Sequence, residues 1–307
     1  MGSAVTAYIL IIVLIAAGWL AARAELFPDN AADVLNKVVI TLCLPAIIFI
    51  HVPTLEFSLE LVPLVAVPWL LLAFTITGVL LLSRWLGLSR EVTATLLVLI
   101  PLGNTSFLGF PLVEALLGPE YLPLAVVYDQ FGSFLIVCTH ALFVIAWYSE
   151  GKAPSLRSMG KKVLSFPPFL ALMAAMLIGH DWFPEWLWDL TERFAVMLLP
   201  LVTLAIGLSL KLRLPRDYRL PLAIGLTGKL VVLPALSLLL VWLMQASPEV
   251  AQVAVLESAM APMITAAALL AGARLAPALG SAMVAWGVIL SALTVPLWFW
   301  LLGSWLN

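Results

Sequence analysis

Charged residues are scarce in this sequence. They make up 10% of the 307 residues, whereas a soluble globular protein carries about 25%. Hydrophobic residues make up 64%, and the mean hydropathy is +1.13. The chain therefore lacks the polar side chains that a water-facing surface requires. Fifteen Lys and Arg residues stand against seventeen Asp and Glu residues, which excludes a basic nucleic-acid-binding protein.

Cysteine and the common catalytic motifs are nearly or wholly missing. The two cysteines, Cys43 and Cys138, both lie inside apolar runs, which argues against a disulfide framework and against a zinc site with four clustered ligands. The sequence has no GxSxG, HExxH, CxxC or P-loop string. We therefore predict neither an enzyme nor an ATP-driven pump, and no cofactor apart from a coupling ion.

Long apolar runs are what the sequence does contain. A helix of about 20 apolar residues crosses a bilayer, and charged or turn-rich breaks separate ten such runs. These predicted spans, numbered 1 to 10, are 4–22, 33–51, 61–83, 91–117, 121–147, 165–180, 189–210, 218–244, 248–272 and 277–302. The predicted fold class is an all-α polytopic membrane protein with the lipid bilayer as its surroundings.

The positive charges predict how the chain is oriented. Thirteen of the fifteen Lys and Arg residues fall at the odd-numbered loops, and only Arg193 falls in an even-numbered one. Because Lys and Arg are retained on the cytoplasmic side, we expect both termini on the non-cytoplasmic side. The expected location is the bacterial inner membrane.

The longest basic connection, 148–164, divides the chain into halves of five spans each, 1–147 and 165–307. An odd number of spans per half means that the second half enters the membrane from the opposite side. Weak internal similarity supports a repeat, because Gly132 and Gly287 begin similar apolar runs in spans 5 and 10. We therefore predict two inverted repeats, an arrangement found in many secondary transporters.

The fourth span of each half carries residues that interrupt a helix. Span 4 contains Pro101, Gly103, Asn104, Thr105, Ser106, Gly109 and Pro111 within eleven residues, and span 9 contains Glu257, Ser258 and Pro262. Proline removes a backbone donor and glycine is a poor helix former. Two such interruptions in matching positions of the two halves indicate a substrate site. The alternative interpretation of each interruption is an ordinary proline kink without a role in binding, and this alternative is stronger for span 9 than for span 4.

Ionisable residues inside a span are costly and suggest function. Glu257 either binds Na+ or a proton, or is a buried carboxyl paired with a neighbouring helix. Asp129 and Gln130 in span 5 line the cavity or bind the coupling ion, and the alternative is that they lie at a solvated mouth. Lys229 in span 8 neutralises a carboxylate substrate, pairs with Glu257 or Asp129, or extends toward the cytoplasm. Single histidines such as His140 are expected to be satisfied polar groups rather than ligands.

Three segments resemble one known family. NTSFLGFP (104–111), LPLVTLAIGLSL (199–210) and LESAMAPMITAAALLAG (256–272) are similar to spans 4, 7 and 9 of the auxin efflux carrier family, which includes bacterial malonate and malate permeases. The resemblance implies a scaffold of spans 1, 2, 6 and 7, through which a homodimer forms. It implies a transport part of spans 3–5 and 8–10, in which the two broken helices cross near Pro111 and Pro262. Asn104 would line the substrate site or gate.

The more distant bile acid:sodium symporters share this architecture and place an acidic sodium ligand in the ninth span. Glu257, in the string ESAM, resembles that residue. The resemblance therefore implies a coupling-ion site at Glu257, Ser258, Met260 and Asn104, with Glu257 as the Na+ ligand. The plant carriers lack this acidic residue, so an ion-independent mechanism of the plant type is not expected.

From these observations we predict a secondary transporter of a small organic anion, a dicarboxylate such as malonate or malate or an auxin-like carboxylate. It would work by elevator-type alternating access, coupled to Na+ or H+. The substrate would be held by half-helix N-termini and by residues near the crossing. These substrate-binding candidates are Asn104, Thr105, Ser106, Pro111, Pro262, Asp129, Gln130 and Lys229. The alternative is a channel or an uncoupled uniporter for organic anions.

Overall fold

The helices of the chain follow the ten apolar segments predicted from the sequence. They are seen in a computed structural model that describes residues 2–54, 58–149, 155–177, 184–210, 212 and 216–306. Within these residues six helical stretches are long and apolar enough to cross a membrane, and three shorter apolar helices accompany them. The six are Ala31–His51, Leu59–Leu86, Pro119–Ser149, Glu185–Ser209, Arg216–Leu243 and Pro277–Ser304. The prediction of an all-α polytopic membrane protein is confirmed.

The α-helices of the described residues are numbered in chain order. In the first half they are α1 (Gly2–Arg23), α2 (Ala31–Val38), α3 (Leu44–His51), α4 (Val62–Leu86), α5 (Arg90–Leu99), α6 (Phe110–Leu116), α7 (Leu122–Tyr128) and α8 (Leu142–Ser149). In the linker and second half they are α9 (Leu156–Leu164), α10 (Pro167–Leu177), α11 (Glu185–Val196), α12 (Leu198–Ser209), α13 (Arg219–Thr227), α14 (Leu233–Leu243), α15 (Pro248–Ser258), α16 (Ile264–Gly272) and α17 (Pro277–Leu306). The last residues of the sixth predicted span, 178–180, lie outside the described residues.

Short π-helical segments join several of these helices. They are Val39–Cys43, Thr105–Gly109, Asp129–Phe134, Val137–Ala141 and Gly228–Val232. Three of them are followed directly by an α-helix whose second residue is a proline, namely Pro45, Pro111 and Pro234. Because a proline ring clashes with the carbonyl group four residues earlier, a wider turn before it lets the chain continue as a helix. Such π-helical turns are frequent at functional sites.

The described chain forms two compact units. The first unit comprises Met1–Phe57, Ser106–Val126 and Lys161–Leu210, and the second comprises Ser58–Thr105, Val127–Gly160 and Lys211–Asn307. This division differs in one respect from the expected scaffold and transport parts. The second part of span 4 and the start of span 5 group with spans 1, 2, 6 and 7, because α6 packs against α1. The repeat boundaries at 147 and 165 stay a prediction.

Close packing of two helices holds the first unit together. At Gly18 in α1 and Gly207 in α12 the helix backbones approach each other without side chains between them. A Cβ atom on Gly18 would lie 2.6 Å from the carbonyl oxygen of Leu204, and one on Gly207 would meet the carbonyl oxygen of Ile15. Small residues allow this close approach between membrane helices, so the pair determines how α1 and α12 pack.

We therefore expect Gly207→Ala to destabilise the protein. The added methyl group would meet backbone atoms, which cannot rotate away, and overpacking of this kind costs about 1–3 kcal/mol. A matched control is Gly78→Ala in α4, where nothing lies within 4 Å of the added carbon. Thermal unfolding of detergent-purified protein should show a lower Tm for Gly207→Ala and an unchanged or higher Tm for Gly78→Ala. Equal Tm values for the two variants would contradict this packing.

In the second unit, two glycines lie against proline rings. They are Gly132 and Gly287, which begin the two similar apolar runs of spans 5 and 10. A Cβ atom on Gly132 would meet the ring of Pro68 in α4, and one on Gly287 would meet the ring of Pro262. Gly287 therefore brings α17 directly against the interruption in span 9.

Candidate functional site

Spans 4 and 9 are both broken in the structure. Helix α5 ends at Leu99, and regular helical structure resumes at Thr105. Helix α15 ends at Ser258, and α16 begins at Ile264. Pro101 and Gly103 lie in the first interruption and Pro262 in the second, as expected for residues that disfavour a continuous helix. The predicted pair of broken helices is present.

The two interruptions cross each other within the second unit. Gly103 and Pro262 form an isolated antiparallel β-bridge. On either side of it, the N–H of Asn104 donates to the carbonyl oxygen of Ala261 at 2.8 Å, and the N–H of Met263 donates to that of Leu102 at 3.0 Å. Non-helical backbone at membrane depth needs such internal partners. The opposite chain directions at the bridge are those that inverted halves require.

The bridge adds one residue to the expected crossing. Pro262 lies at the crossing as expected, and its bridge partner is Gly103. Pro111 is the second residue of α6 and belongs to the first unit, as does Ser106. Space is tight at Gly103, because a Cβ atom there would lie 3.0 Å from Lys229 Nζ and 3.2 Å from the carbonyl oxygen of Glu257.

Asp129 is held by two of the predicted site residues. The hydroxyl of Thr105 donates to Oδ1 of Asp129, and the amide Nε2 of Gln130 donates to Oδ2 at 2.8 Å. Asp129 is 2% exposed and Gln130 is 1% exposed. The alternative of a solvated mouth therefore does not hold for these residues. Thr105, which is two residues after Gly103 of the bridge, joins Asp129 to the crossing.

Glu257 is buried at the last turn of α15, directly before the second interruption. It is 0% exposed, and among the described residues no group makes a hydrogen bond with either of its carboxylate oxygens. It interacts electrostatically with Asp129 and Lys229. Asn104 Nδ2 and Gln130 Oε1 are likewise buried without a hydrogen-bond partner in the described part of the chain. Burying a carboxylate without hydrogen-bond partners is costly. Glu257 is therefore a candidate ligand for a bound cation.

Lys229 reaches the same crossing from span 8. Its side chain is 1% exposed, and Nζ donates to the carbonyl oxygen of Ser258 at 3.1 Å. The alternative in which Lys229 extends toward the cytoplasm does not hold. Lys229 lies in the π-helical segment Gly228–Val232, which directly precedes the proline-containing turn of α14.

The remaining predicted residues are also at the second interruption. Met260 is fully buried there, and the hydroxyl of Ser258 donates to the carbonyl oxygen of Val255 at 2.7 Å. We refer to Asn104, Thr105, Asp129, Gln130, Lys229, Glu257 and Ser258 as the crossing cluster. Its only two acidic side chains are Asp129 and Glu257, and the described residues contain no group of three His, Cys, Asp or Glu side chains suited to a metal.

Two side chains outside the predicted site residues bond backbone carbonyl groups in spans 4 and 8. In an α-helix the carbonyl group of one residue accepts from the N–H four residues later, and Pro101 and Pro234, which have no N–H, stand four residues after Leu97 and Leu230. His140 Nε2 lies 3.0 Å from the carbonyl oxygen of Leu97, and the indole N–H of Trp298 donates to that of Leu230 at 2.9 Å. The expectation that His140 is a satisfied polar group is confirmed. The two carbonyl groups can be located in the sequence, because each lies four residues before a proline. The sequence does not show which side chain donates to each of them.

His140 is therefore expected to stabilise the end of α5. Because a carbonyl oxygen only accepts, Nε2 must carry the proton. Replacing His140 by alanine should lower the free energy of unfolding by about 1 kcal/mol, the usual scale for hydrogen bonds between membrane helices. His140→Gln retains an N–H donor and should recover most of the loss. Thermal unfolding measures both, and a Tm for His140→Ala equal to that of the unchanged protein would contradict the role.

The first unit contains a separate cavity of about 380 Å³. Its walls come from spans 2, 6 and 7 and are largely apolar, and they include Pro45, Phe49 and Trp188. None of the predicted site residues lines it. The cavity therefore does not compete with the crossing cluster as the polar site.

A polytopic all-α protein with a buried charged cluster where two broken helices cross has the features of a membrane transporter. A family model described as "Membrane transport protein" matches residues 3–299. The chain belongs to this family, the auxin efflux carrier family that the three sequence segments resemble. It is a multi-pass membrane protein.

Two archaeal proteins are similar to this chain. An uncharacterized transporter of Methanothermobacter thermautotrophicus is 26% identical over 312 aligned positions, which cover 97% of this chain and 98% of that protein. An uncharacterized transporter of Methanocaldococcus jannaschii is 23% identical over 211 positions, covering 66% of this chain and 67% of that protein. Both names agree with a transporter, and neither specifies a substrate.

Proposed function

We propose that this protein is a secondary transporter that moves a small organic anion together with a cation. The observation that carries the proposal is Glu257, a fully buried carboxylate whose oxygens have no hydrogen-bond partner among the described residues. It interacts electrostatically with Asp129 and Lys229. A cation, Na+ or H+, would satisfy these oxygens. Asn104, Ser258 and Met260 at the same crossing complete the proposed ion site.

Charge explains why the two substrates would move together. With all three groups ionised, Asp129, Glu257 and Lys229 sum to one negative charge. Two like charges 4 Å apart repel by about 4 kcal/mol at an effective dielectric constant of 20. An organic anion would therefore bind weakly to the cluster alone and better once a cation has neutralised it. Such mutual dependence is the thermodynamic basis of symport.

The anion itself has donors at the crossing. Helix α16 begins directly after the second interruption, and its N-terminal N–H groups carry partial positive charge. Asn104 Nδ2 is a buried donor without a partner in the described residues. These groups fit one carboxylate of malonate, malate or an auxin-like acid. Ser106 and Pro111, which belong to the first unit, stay predictions as further substrate contacts.

The proposed movement is that of an elevator, in which the second unit carries the site across the membrane. This proposal is supported by the fact that the crossing cluster lies entirely in the second unit. Homodimerisation through spans of the first unit, termini on the non-cytoplasmic side and a location in the bacterial inner membrane belong to the same proposal. Protease accessibility of terminal tags in intact cells tests the orientation.

Uptake by proteoliposomes tests the function. Labelled malonate, malate and indole-acetate are offered under an imposed Na+ gradient, H+ gradient or voltage, one at a time. We expect at least one of these anions to accumulate against its own gradient only when a cation gradient is present. Fast flux that merely follows the anion gradient, with no cation dependence, would instead indicate the channel or uncoupled uniporter.

A further inference from the structure

Three prolines each stand four residues after a backbone carbonyl that accepts a hydrogen bond from a side chain, so none of them offers the N–H that an α-helix would place there. They are Pro101, four residues after Leu97, Pro234, four residues after Leu230, and Pro262, four residues after Ser258. In each case a side chain from another span supplies the missing donor. The donors for Leu97 and Leu230 are His140 and Trp298. The donor for Ser258 is Lys229.

The donor at Ser258 differs from the other two in its charge. An imidazole and an indole suffice for the first two carbonyl groups, so the hydrogen bond alone does not require an ammonium group. Burying an ammonium group at membrane depth is expensive. Lys229 is 1% exposed. Its positive charge therefore has a use that a neutral donor would not fulfil.

The position of the ammonium group suggests that use. Lys229 Nζ is bonded to a carbonyl oxygen at the C-terminal end of a half-helix and would lie 3.0 Å from a Cβ atom on Gly103. Carbonyl oxygens released by an unwound helix are typical ligands of transported cations. Glu257 and Asp129 supply negative charge to the same cluster. The ammonium group thus lies where a monovalent cation would otherwise be bound.

We propose that Lys229 is an internal cation that takes the place of one of two coupling ions, so that one cation rather than two accompanies each transport cycle. Two carboxylates need two positive charges for neutrality, and the ammonium group of Lys229 supplies one of them. The exchangeable cation supplies the other at Glu257. This inference rests on the proposed cation-coupled function and specifies its stoichiometry.

The test compares Lys229→Gln with Lys229→Arg in proteoliposomes. Glutamine retains an N–H donor without the charge, and arginine retains the charge. Initial uptake of the transported anion is measured against Na+ concentration at fixed pH, and against pH in the absence of Na+. Because a Hill coefficient can rise to the number of sites, we expect about 1 for the unchanged protein and for Lys229→Arg and about 2 for Lys229→Gln.

A second measurement does not depend on the variants folding. The reversal potential of transport in the unchanged protein gives the number of cations per anion, and we expect one. A value of two, or a Hill coefficient that stays near that of the unchanged protein in an active Lys229→Gln variant, would overturn this inference and leave the proposed symport intact. Uptake by the unchanged protein without any cation dependence would overturn both.

Discussion

Replacing Glu257 by glutamine is expected to raise sharply the cation concentration that uptake requires. Glutamine has nearly the same size but lacks the negative charge, and its amide nitrogen cannot ligate a cation. Loss of even a residue that supports a metal ligand costs about 10–100-fold in affinity, so direct loss of the ligand should raise the half-saturating cation concentration at least about 100-fold. The measurement is initial anion uptake by proteoliposomes as a function of Na+ concentration and of pH.

Glu249→Gln is the matched control, because Glu249 lies in the first turn of the same helix, α15, but is exposed. Its uptake should depend on the cation as in the unchanged protein. If Glu257→Gln kept the full gradient dependence while remaining folded, Glu257 would have no part in coupling. The charge argument for symport would then lose its main support.

Gly287→Ala should have the second-largest effect. The added methyl group would meet the ring of Pro262, and neither a proline ring nor the backbone of α17 can move aside easily. Overpacking costs about 1–3 kcal/mol, and 1.4 kcal/mol corresponds to a factor of about ten in an equilibrium. We therefore expect the uptake rate to fall at least about tenfold through displacement of the crossing.

Gly280→Ala provides the comparison within the same helix. Gly280 is also buried in α17, but a Cβ atom there would have ordinary contacts, the nearest at 3.8 Å to Leu99 Cδ1. Its uptake and Tm should stay close to those of the unchanged protein. Equal uptake by the two variants would mean that the position of Pro262 does not matter for transport.

Local chemistry made the breaks in spans 4 and 9 predictable. Proline and glycine act through the backbone of their own segment, so Pro101, Gly103 and Pro262 indicated where each helix stops. The residues Asn104, Glu257 and Lys229 stood out because polar groups within apolar runs are rare and costly. The resemblance to the auxin efflux carrier family came from strings in spans 4, 7 and 9, and the family model over residues 3–299 confirms it.

Contacts between distant segments could not be predicted from the sequence, because the pattern of one segment does not show which other segment packs against it. Pro111 and Gly103 both disfavour a helix, and only the fold shows that Gly103 bridges to Pro262. That Lys229 bonds a carbonyl oxygen rather than only facing Glu257 depends on how span 8 packs against span 9. Likewise, the grouping of Ser106–Val126 with the first unit depends on the packing of α6 against α1, which periodicity does not encode.

An experimental structure of the lipid-embedded protein, determined with and without Na+ and a transported anion, tests the central claim most directly. We predict that spans 4 and 9 remain broken and cross at Gly103 and Pro262. In the loaded sample, added density should touch the Glu257 carboxylate and the Asn104 side chain. Continuous helices through either span, or Glu257 facing lipid chains, would contradict this account.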